Sequence, residues 1–525
     1  MGQQRSNNLA NYSVAGPGQM DFNISTLLKK RAELHPDKPA LIFERRTLTF
    51  GGLNDWANRW SHTLAELGVT KGDRIGVLLG NCNEILEVYY GATKLGAVVV
   101  PINWRLSTAE LEYICNNSGL KILVFGADQT RKVEEFRPRL AVNQYICVGP
   151  GGPGWAKDYG SLVGKFPTNE PDFPQSGGDD PAAIIYTSGT TGRPKGAVVT
   201  HANILWWCAS ILTTIDLRRD DRVLMVIPLI HAYAFTFGML CIQKGCSIVL
   251  LRDFEPQKFL ETIRDEKVDV FLGVPTILQR LTETPGFKEH LTGARALLSA
   301  SGPLAPSLVE TYTRLGIKVQ NMYGITEIGA VTVNENPKKP NSVGFPVFYL
   351  QLRVIDENGS DVPTGEVGEI LVKGPAVIKE YWNDPDATKQ ATRDGCFCTG
   401  DMARLDDEGY IYLVDRKKDV IISGGEKIYP TEVEDVLYSY PKIAEVAVIG
   451  QPDQVWGEML CAVVRAKDGQ QLNTQELIEF CKGKLASFKV PRKFITTDTH
   501  LPRNSAGKIL RRVVRQQINP PEITH

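Results

Sequence analysis

No run of eighteen apolar residues occurs in the 525 positions, so the sequence offers no membrane-spanning helix. Its first residues, MGQQRSNN, lack the hydrophobic segment of a secretory leader, which points to the cytoplasm. Gly2 and Ser6 complete an M-G-x-x-x-[ST] myristoylation pattern, a motif short enough to arise by chance, and the ending ITH is not a peroxisomal signal. Net charge is almost absent. With 59 Lys and Arg against 60 Asp and Glu, no basic field draws a nucleic acid. The ten cysteines show no C-x2-C spacing, which leaves neither a zinc site nor a dithiol redox pair, and they are expected as reduced thiols. Cys396 and Cys398, the nearest two, read as packing residues that alternate onto one face of a strand. Internal repeats and low-complexity tracts are missing as well.

What the chain does have is length and an ordinary balance of apolar and charged residues, 42% and 23%. Its 525 residues exceed one ordinary core, so two or more domains are expected. From residue 21 to about residue 330, helical and strand periods alternate. In LTFGGLNDWANRWSHTLAELGV, Leu53, Trp56, Ala57, Trp60 and Leu64 recur at helix spacing, and Gly68 stands where a C-cap belongs. RIGVLLG then reads as a buried strand, EILEVYYGATKLG as a helix closed by Gly96, and AVVVPIN as the next strand. The pattern predicts an α/β fold in which mostly parallel sheets are covered by helices on both faces. Beyond Asn334, short β-rich pieces broken by Gly, Pro, Asp and Asn predict a small antiparallel, β-barrel-like subdomain. The polar run at residues 416–419 marks a boundary between an N-terminal domain, 1–416, and a small mobile α+β C-terminal domain, 417–525. The latter is expected to contain helices from Thr431 and Thr474 and strands near 444–449, 461–465 and 492–495.

The segment IIYTSGTTGRPKGAVVTH (184–201) packs glycines, hydroxyls and two cations between what read as two strands. It is not a Walker loop, because Lys195 is followed by Gly196 and not by Ser or Thr, and the GxGxxG dinucleotide fingerprint is absent. The chemistry nonetheless suits phosphate. Gly189 and Gly192 lack the Cβ that would block close approach, so backbone N–H groups can form an anion nest. Ser188, Thr190 and Thr191 add hydroxyl donors, and Lys195 adds charge.

The full string YTSGTTGRPKG is joined, in order, by NMYGITE (321–327), TGD (399–401), YLVDRKKDVIISGGEKI (412–428) and LPRNSAGKILR (501–511). Together they resemble the signature of the adenylate-forming superfamily, which includes acyl-CoA synthetases, luciferases and peptide-synthetase adenylation domains. The resemblance runs from about Ser25 onward. It implies an enzyme of the AMP-forming acyl-CoA synthetase type, acting on fatty or aryl acids with ATP, Mg2+ and CoA. Such an enzyme must supply positive charge and fixed donors where phosphoryl charge grows.

Carried onto this chain, the resemblance gives Thr187, Ser188, Gly189, Thr190, Thr191, Gly192 and Lys195 the β- and γ-phosphates, Thr326 the α-phosphate, and Glu327 the Mg2+ ion. Tyr323 stacks on adenine, with Ser301, Gly302 and Gly324 lining the pocket, while Asp401 and Arg416 take the ribose. Two stretches depart from the family pattern: SASGPL replaces a Gly-Gly or Gly-Ala pair, and Cys396 replaces a tryptophan. Lys508 is the catalytic cation that a mobile domain delivers to the attacking carboxylate and α-phosphate, with the hinge at Lys418. Gly424 and Gly425 would then let a pantetheine arm pass. The surroundings of Lys508 also fit P-x-x-x-x-G-K, which lysine acetyltransferases favour in such enzymes.

His231 is implied as a gate between acyl pocket and thiol tunnel, and Tyr233, Phe235, Gly324 and Ile325 as pocket walls. These walls predict an aromatic, alicyclic or fatty carboxylate. A homodimer is compatible with the resemblance. The alternatives are an acyl-AMP ligase delivering to a carrier protein and a luciferase-like oxidase. No carrier domain follows and the ending is not SKL, which argues against each in turn.

Overall fold

The structure is a computed structural model and describes residues 23–44, 46–174, 176–187, 193–302, 304–503 and 509–518. Two large, mostly parallel sheets dominate it. In the nine-stranded sheet, six strands run parallel in the spatial order Lys318–Ile325, Ala296–Ser299, Val270–Gly273, Arg222–Met225, Ser247–Leu250 and Pro39–Phe43. Antiparallel strands close its edges. The seven-stranded sheet is parallel except for Lys195–Thr200, which returns antiparallel beside Pro181–Thr187.

Strand alternation sorts the side chains into layers. Val270 and Leu272 enter the central core while Phe271 joins the outer one, and Ile122 and Val124 part from Leu123 and Phe125 in the same way. Helices Ile24–Leu34, Phe50–Glu66, Glu84–Leu95, His201–Leu212 and Ala232–Lys244 fill the space between the sheets, and further helices cover both outer faces. This is the helix-covered parallel architecture that the alternating periods predict.

Helix Phe50–Glu66 buries Leu53, Ala57, Trp60 and Leu64, leaving Trp56 half-buried beneath Arg46 and Arg59. Its cap lies one residue earlier than expected, at Leu67. Gly68 follows in the left-handed region (φ 76), where its N–H reaches Ala65 O and the Val69 N–H reaches Leu64 O. Trp60 nestles against Gly91 of the neighbouring helix, where an added Cβ would lie 2.7 Å from the indole.

The β-rich region is a curled, antiparallel five-stranded sheet centred on Cys396–Leu405. Phe397 is buried on one face and Cys396 and Cys398 lie half-exposed on the other, as alternation requires. All ten cysteines are free. The C-terminal α+β region pairs Ile443–Asp453 with Gly457–Ala466 and adds Lys493–Thr496 in parallel, with helices Pro430–Tyr438 and Thr474–Lys482 packed on it. Among the described residues no helix is long and apolar enough to cross a membrane.

Candidate active site

Two clusters of side chains meet on the hairpin of strands Lys318–Ile325 and Gly329–Asn334. Its turn carries Thr326 and Glu327, and its first strand carries Asn321, Tyr323 and Gly324. The register shifts between Tyr323 and Gly324, and a Cβ on Gly324 would stand 2.1 Å from the Gly329 carbonyl oxygen. Only glycine lets the hairpin close there.

On the strand side, the Tyr323 phenol donates to Asp401 Oδ2 at 2.6 Å, and Arg416 Nε lies 2.6 Å from Oδ1. Asp401 and Arg416 face each other as register partners of Cys396–Leu405 and Ile411–Arg416. The Asp401 N–H donates to Thr399 Oγ1, whose hydroxyl donates to Ile370 O, so the carboxylate is braced from behind. Burial, reinforced by the Asp401 charge, pushes the Tyr323 phenol well above its ordinary pKa and keeps it a donor. Three residues named from three separate motifs therefore form one unit, with Tyr323 and Asp401 buried and Arg416 half-buried.

On the turn side, Glu327 Oε1 accepts a 2.7 Å hydrogen bond from the Tyr381 phenol, and the Lys195 ammonium stands 5.4 Å from the centroid of the same ring. Lys195 is the register partner of Thr187 and opens strand Lys195–Thr200. Ser188, Gly189, Thr190, Thr191 and Gly192, which the sequence assigns to phosphate, lie outside the described residues, as does Lys508. Among the described residues no group of three or more His, Cys, Asp or Glu is placed to hold a metal ion by itself. A single half-exposed carboxylate beside a lysine fits a hard cation that draws its remaining oxygens from phosphate and water, which is the habit of Mg2+.

His231 precedes helix Ala232–Lys244, with its Nε2 buried and unpartnered among the described residues. Burial, with Arg105 second, lowers its pKa to about 4, so the imidazole is neutral at pH 7. Tyr233 donates to Leu298 O at 3.0 Å, whereas Phe235 turns edge-on to Tyr89 inside the central core. Ile325 is half-exposed and Gly324 exposed beside the Thr326–Glu327 turn. Ser301 is exposed in the left-handed region (φ 70), and a Cβ added at Gly302 would lie 3.5 Å from Pro275 Cγ.

Sequence reasoning missed three polar residues here. Ser299 and Asn321 are register partners, and both Ser299 Oγ and Asn321 Oδ1 are buried without a partner among the described residues. Such orphaned atoms are the kind a polar ligand satisfies. Asn321 stands within NMYGITE, two residues before Tyr323, and its place in that motif could have marked it. Tyr381 carries no such local signal.

Lys418 lies in a 3-10 turn, Lys417–Asp419, directly after strand Ile411–Arg416. Arg511 ties that junction to the C-terminal region, bonding Asp415 at 3.0 Å and Glu434 at 2.6 Å. Gly424 and Gly425 (φ 61 and 88) form the two-residue turn between Ile421–Ser423 and Glu426–Ile428, and this turn by itself favours glycine at both positions.

This site and fold define an adenylate-forming enzyme. The chain belongs to the AMP-binding enzymes: that family's model matches residues 28–382, and the model of the AMP-binding enzyme C-terminal domain matches residues 432–508. It is 37% identical to the long-chain-fatty-acid–CoA ligase FadD13 of Mycobacterium tuberculosis, an alignment covering 94% of this chain and 98% of that one. It is 38% identical to a feruloyl-CoA synthase of Amycolatopsis, covering 93% and 97%. The solved o-succinylbenzoate CoA synthetase (MenE) of Bacillus subtilis, in complex with its acyl-adenylate intermediate, superposes with a TM-score of 0.83 at 32% identity, covering 94% and 97%.

Proposed function

We infer that this chain is an AMP-forming acid–thiol ligase that makes acyl-CoA in two steps. A carboxylate oxygen attacks the α-phosphorus of ATP and pyrophosphate leaves, giving acyl-AMP. The CoA sulfur then attacks the acyl carbon, AMP leaves and the thiol proton passes to solvent or base. The observation that carries this reading is the hairpin 318–334, which brings the Tyr323–Asp401–Arg416 unit and the Lys195–Tyr381–Glu327 group within four residues of each other.

In this reading Asp401 and Arg416 hold the ribose, and Tyr323, Ser301, Gly302 and Gly324 border the adenine. Thr187, Lys195 and the loop between them hold the terminal phosphates, with Thr326 at the α-phosphate. Glu327 would hold Mg2+, which neutralises phosphate charge when bound. The boundary at 416–419, with Lys418 as pivot, separates the domain that binds nucleotide from one that delivers Lys508 in the first step and the Gly424–Gly425 turn in the second. Acetylation of Lys508 would remove its charge and stop the first step alone.

Neutral His231, Tyr233 and Ile325 border the acyl group, and a fatty or aromatic acid is the substrate class that an apolar wall favours. The two ligases above, whose names specify a long-chain fatty acid and ferulate, lie on either side of that class.

A panel of carboxylic acids, scored for AMP and for thioester with and without CoA, tests the function. Thioester formation that requires both ATP and CoA is the expected result. AMP release with no thioester to CoA would favour a carrier-protein ligase, and oxygen consumption a luciferase-like oxidase.

A further inference from the structure

Tyr381 belongs to none of the motifs that mark the site, yet it touches two of its charged groups. Its phenol donates to Glu327 Oε1 at 2.7 Å, and its ring lies under the Lys195 ammonium at 5.4 Å. Neither contact is needed to place the residue, because its backbone is already anchored. Its N–H donates to Thr388 Oγ1 at 2.9 Å, it bridges Ala197 in antiparallel fashion, and the neighbouring Trp382 N–H donates to Gly196 O at 2.7 Å.

The same segment grips the carboxylate residue from its other end, where the Ile378 N–H donates to Glu327 O at 2.9 Å and Ala376 O accepts from the Trp207 indole at 2.8 Å. Residues 376–382 thus run as a strap from the Glu327 turn to the strand that carries Lys195. Gly196 makes room for it, since a Cβ there would lie 3.3 Å from Trp382 Cβ. One carboxylate oxygen is committed to the phenol, and among the described residues Oε2 has no hydrogen-bond partner.

We propose that Tyr381 is a positioning residue for Glu327 and Lys195: its hydroxyl fixes one carboxylate oxygen and its ring seats the ammonium, so that acceptor and cation hold one spacing before MgATP arrives. The proposal rests on Glu327 as the Mg2+ carboxylate. Burial and the Glu327 charge push the phenol well above its ordinary pKa, so it remains a donor across the working pH range.

The test is calorimetric ATP binding to the full chain across a Mg2+ titration, which needs no turnover. Tyr381→Phe keeps the ring and every backbone anchor. It is expected to raise the Mg2+ concentration for half-maximal nucleotide binding roughly tenfold, the scale of a lost hydrogen bond to a charged group. It should leave Mg2+-free ATP binding unchanged and add nothing in a Glu327→Gln background. Tyr381→Leu, which also removes the ring, should weaken Mg2+-free binding as well. An unshifted Tyr381→Phe titration beside a shifted Glu327→Gln one overturns the role of Tyr381 alone. Two unshifted titrations overturn Glu327 as the metal carboxylate and this inference with it.

Discussion

Glu87 is a carboxylate on helix Glu84–Leu95 that sits in the central core, outside the candidate site. Tyr159 donates to it at 3.0 Å and Arg46 stands 3.4 Å away, but burial outweighs both and raises its pKa to about 8. The folded chain therefore keeps a proton that the unfolded chain releases near pH 4.5. Stability contributed by that proton is full below pH 4.5, declines as pH rises to about 8 and is flat beyond. Glu87→Gln keeps an acceptor for Tyr159 and removes the titration. Its stability advantage over the parent is expected to grow between pH 5 and pH 8 by roughly 3 kcal/mol. Chemical denaturation at the two pH values measures it, and an advantage that does not change with pH would refute the assignment.

At the scale of elements, the turn at Gly424 and Gly425 joins a backbone requirement to a proposed role in the second step. A Cβ on Gly424 would lie 2.8 Å from the Trp456 ring at a φ of 61, so Gly424→Ala is expected to cost about 1 kcal/mol or more in the C-terminal region. Thioester formation from supplied acyl-AMP should slow more than pyrophosphate exchange, and equal slowing would count against a role for this turn in the second step. Elements of this kind are legible in the chain because their causes are local. The helix Phe50–Glu66 follows from the spacing of Leu53, Ala57, Trp60 and Leu64, and the strands flanking the phosphate loop follow from two apolar runs around a glycine-rich interval. The strap 376–382 is not legible. It makes a single bridge to Ala197 and takes its conformation from Gly196, Trp207 and Glu327, residues far away in sequence.

For the whole molecule, the proposed function has the C-terminal region move as a body between the two half-reactions. If Lys508 serves the first step only, as proposed, Lys508→Ala abolishes carboxylate-dependent pyrophosphate exchange while thioester formation from supplied acyl-AMP stays within about tenfold of the parent. Equal loss of both half-reactions would sink the moving-domain account. Arg511, held between Asp415 before the turn at Lys418 and Glu434 after it, is the contact that such a rotation must carry along or break.

By itself the sequence determined the α/β class, the placement of the glycine-rich loop between two strands and the motifs from which the nucleotide residues are named, because periodicity and turn chemistry act over a few positions. Only the tertiary structure decided which of those residues meet. Tyr323 reaches Asp401 across 78 positions and Tyr381 reaches Glu327 across 54, while the orphaned Ser299 and Asn321 are brought side by side by strand register. Strand order and register arise from how whole faces bury against one another, and no local window of residues carries that information.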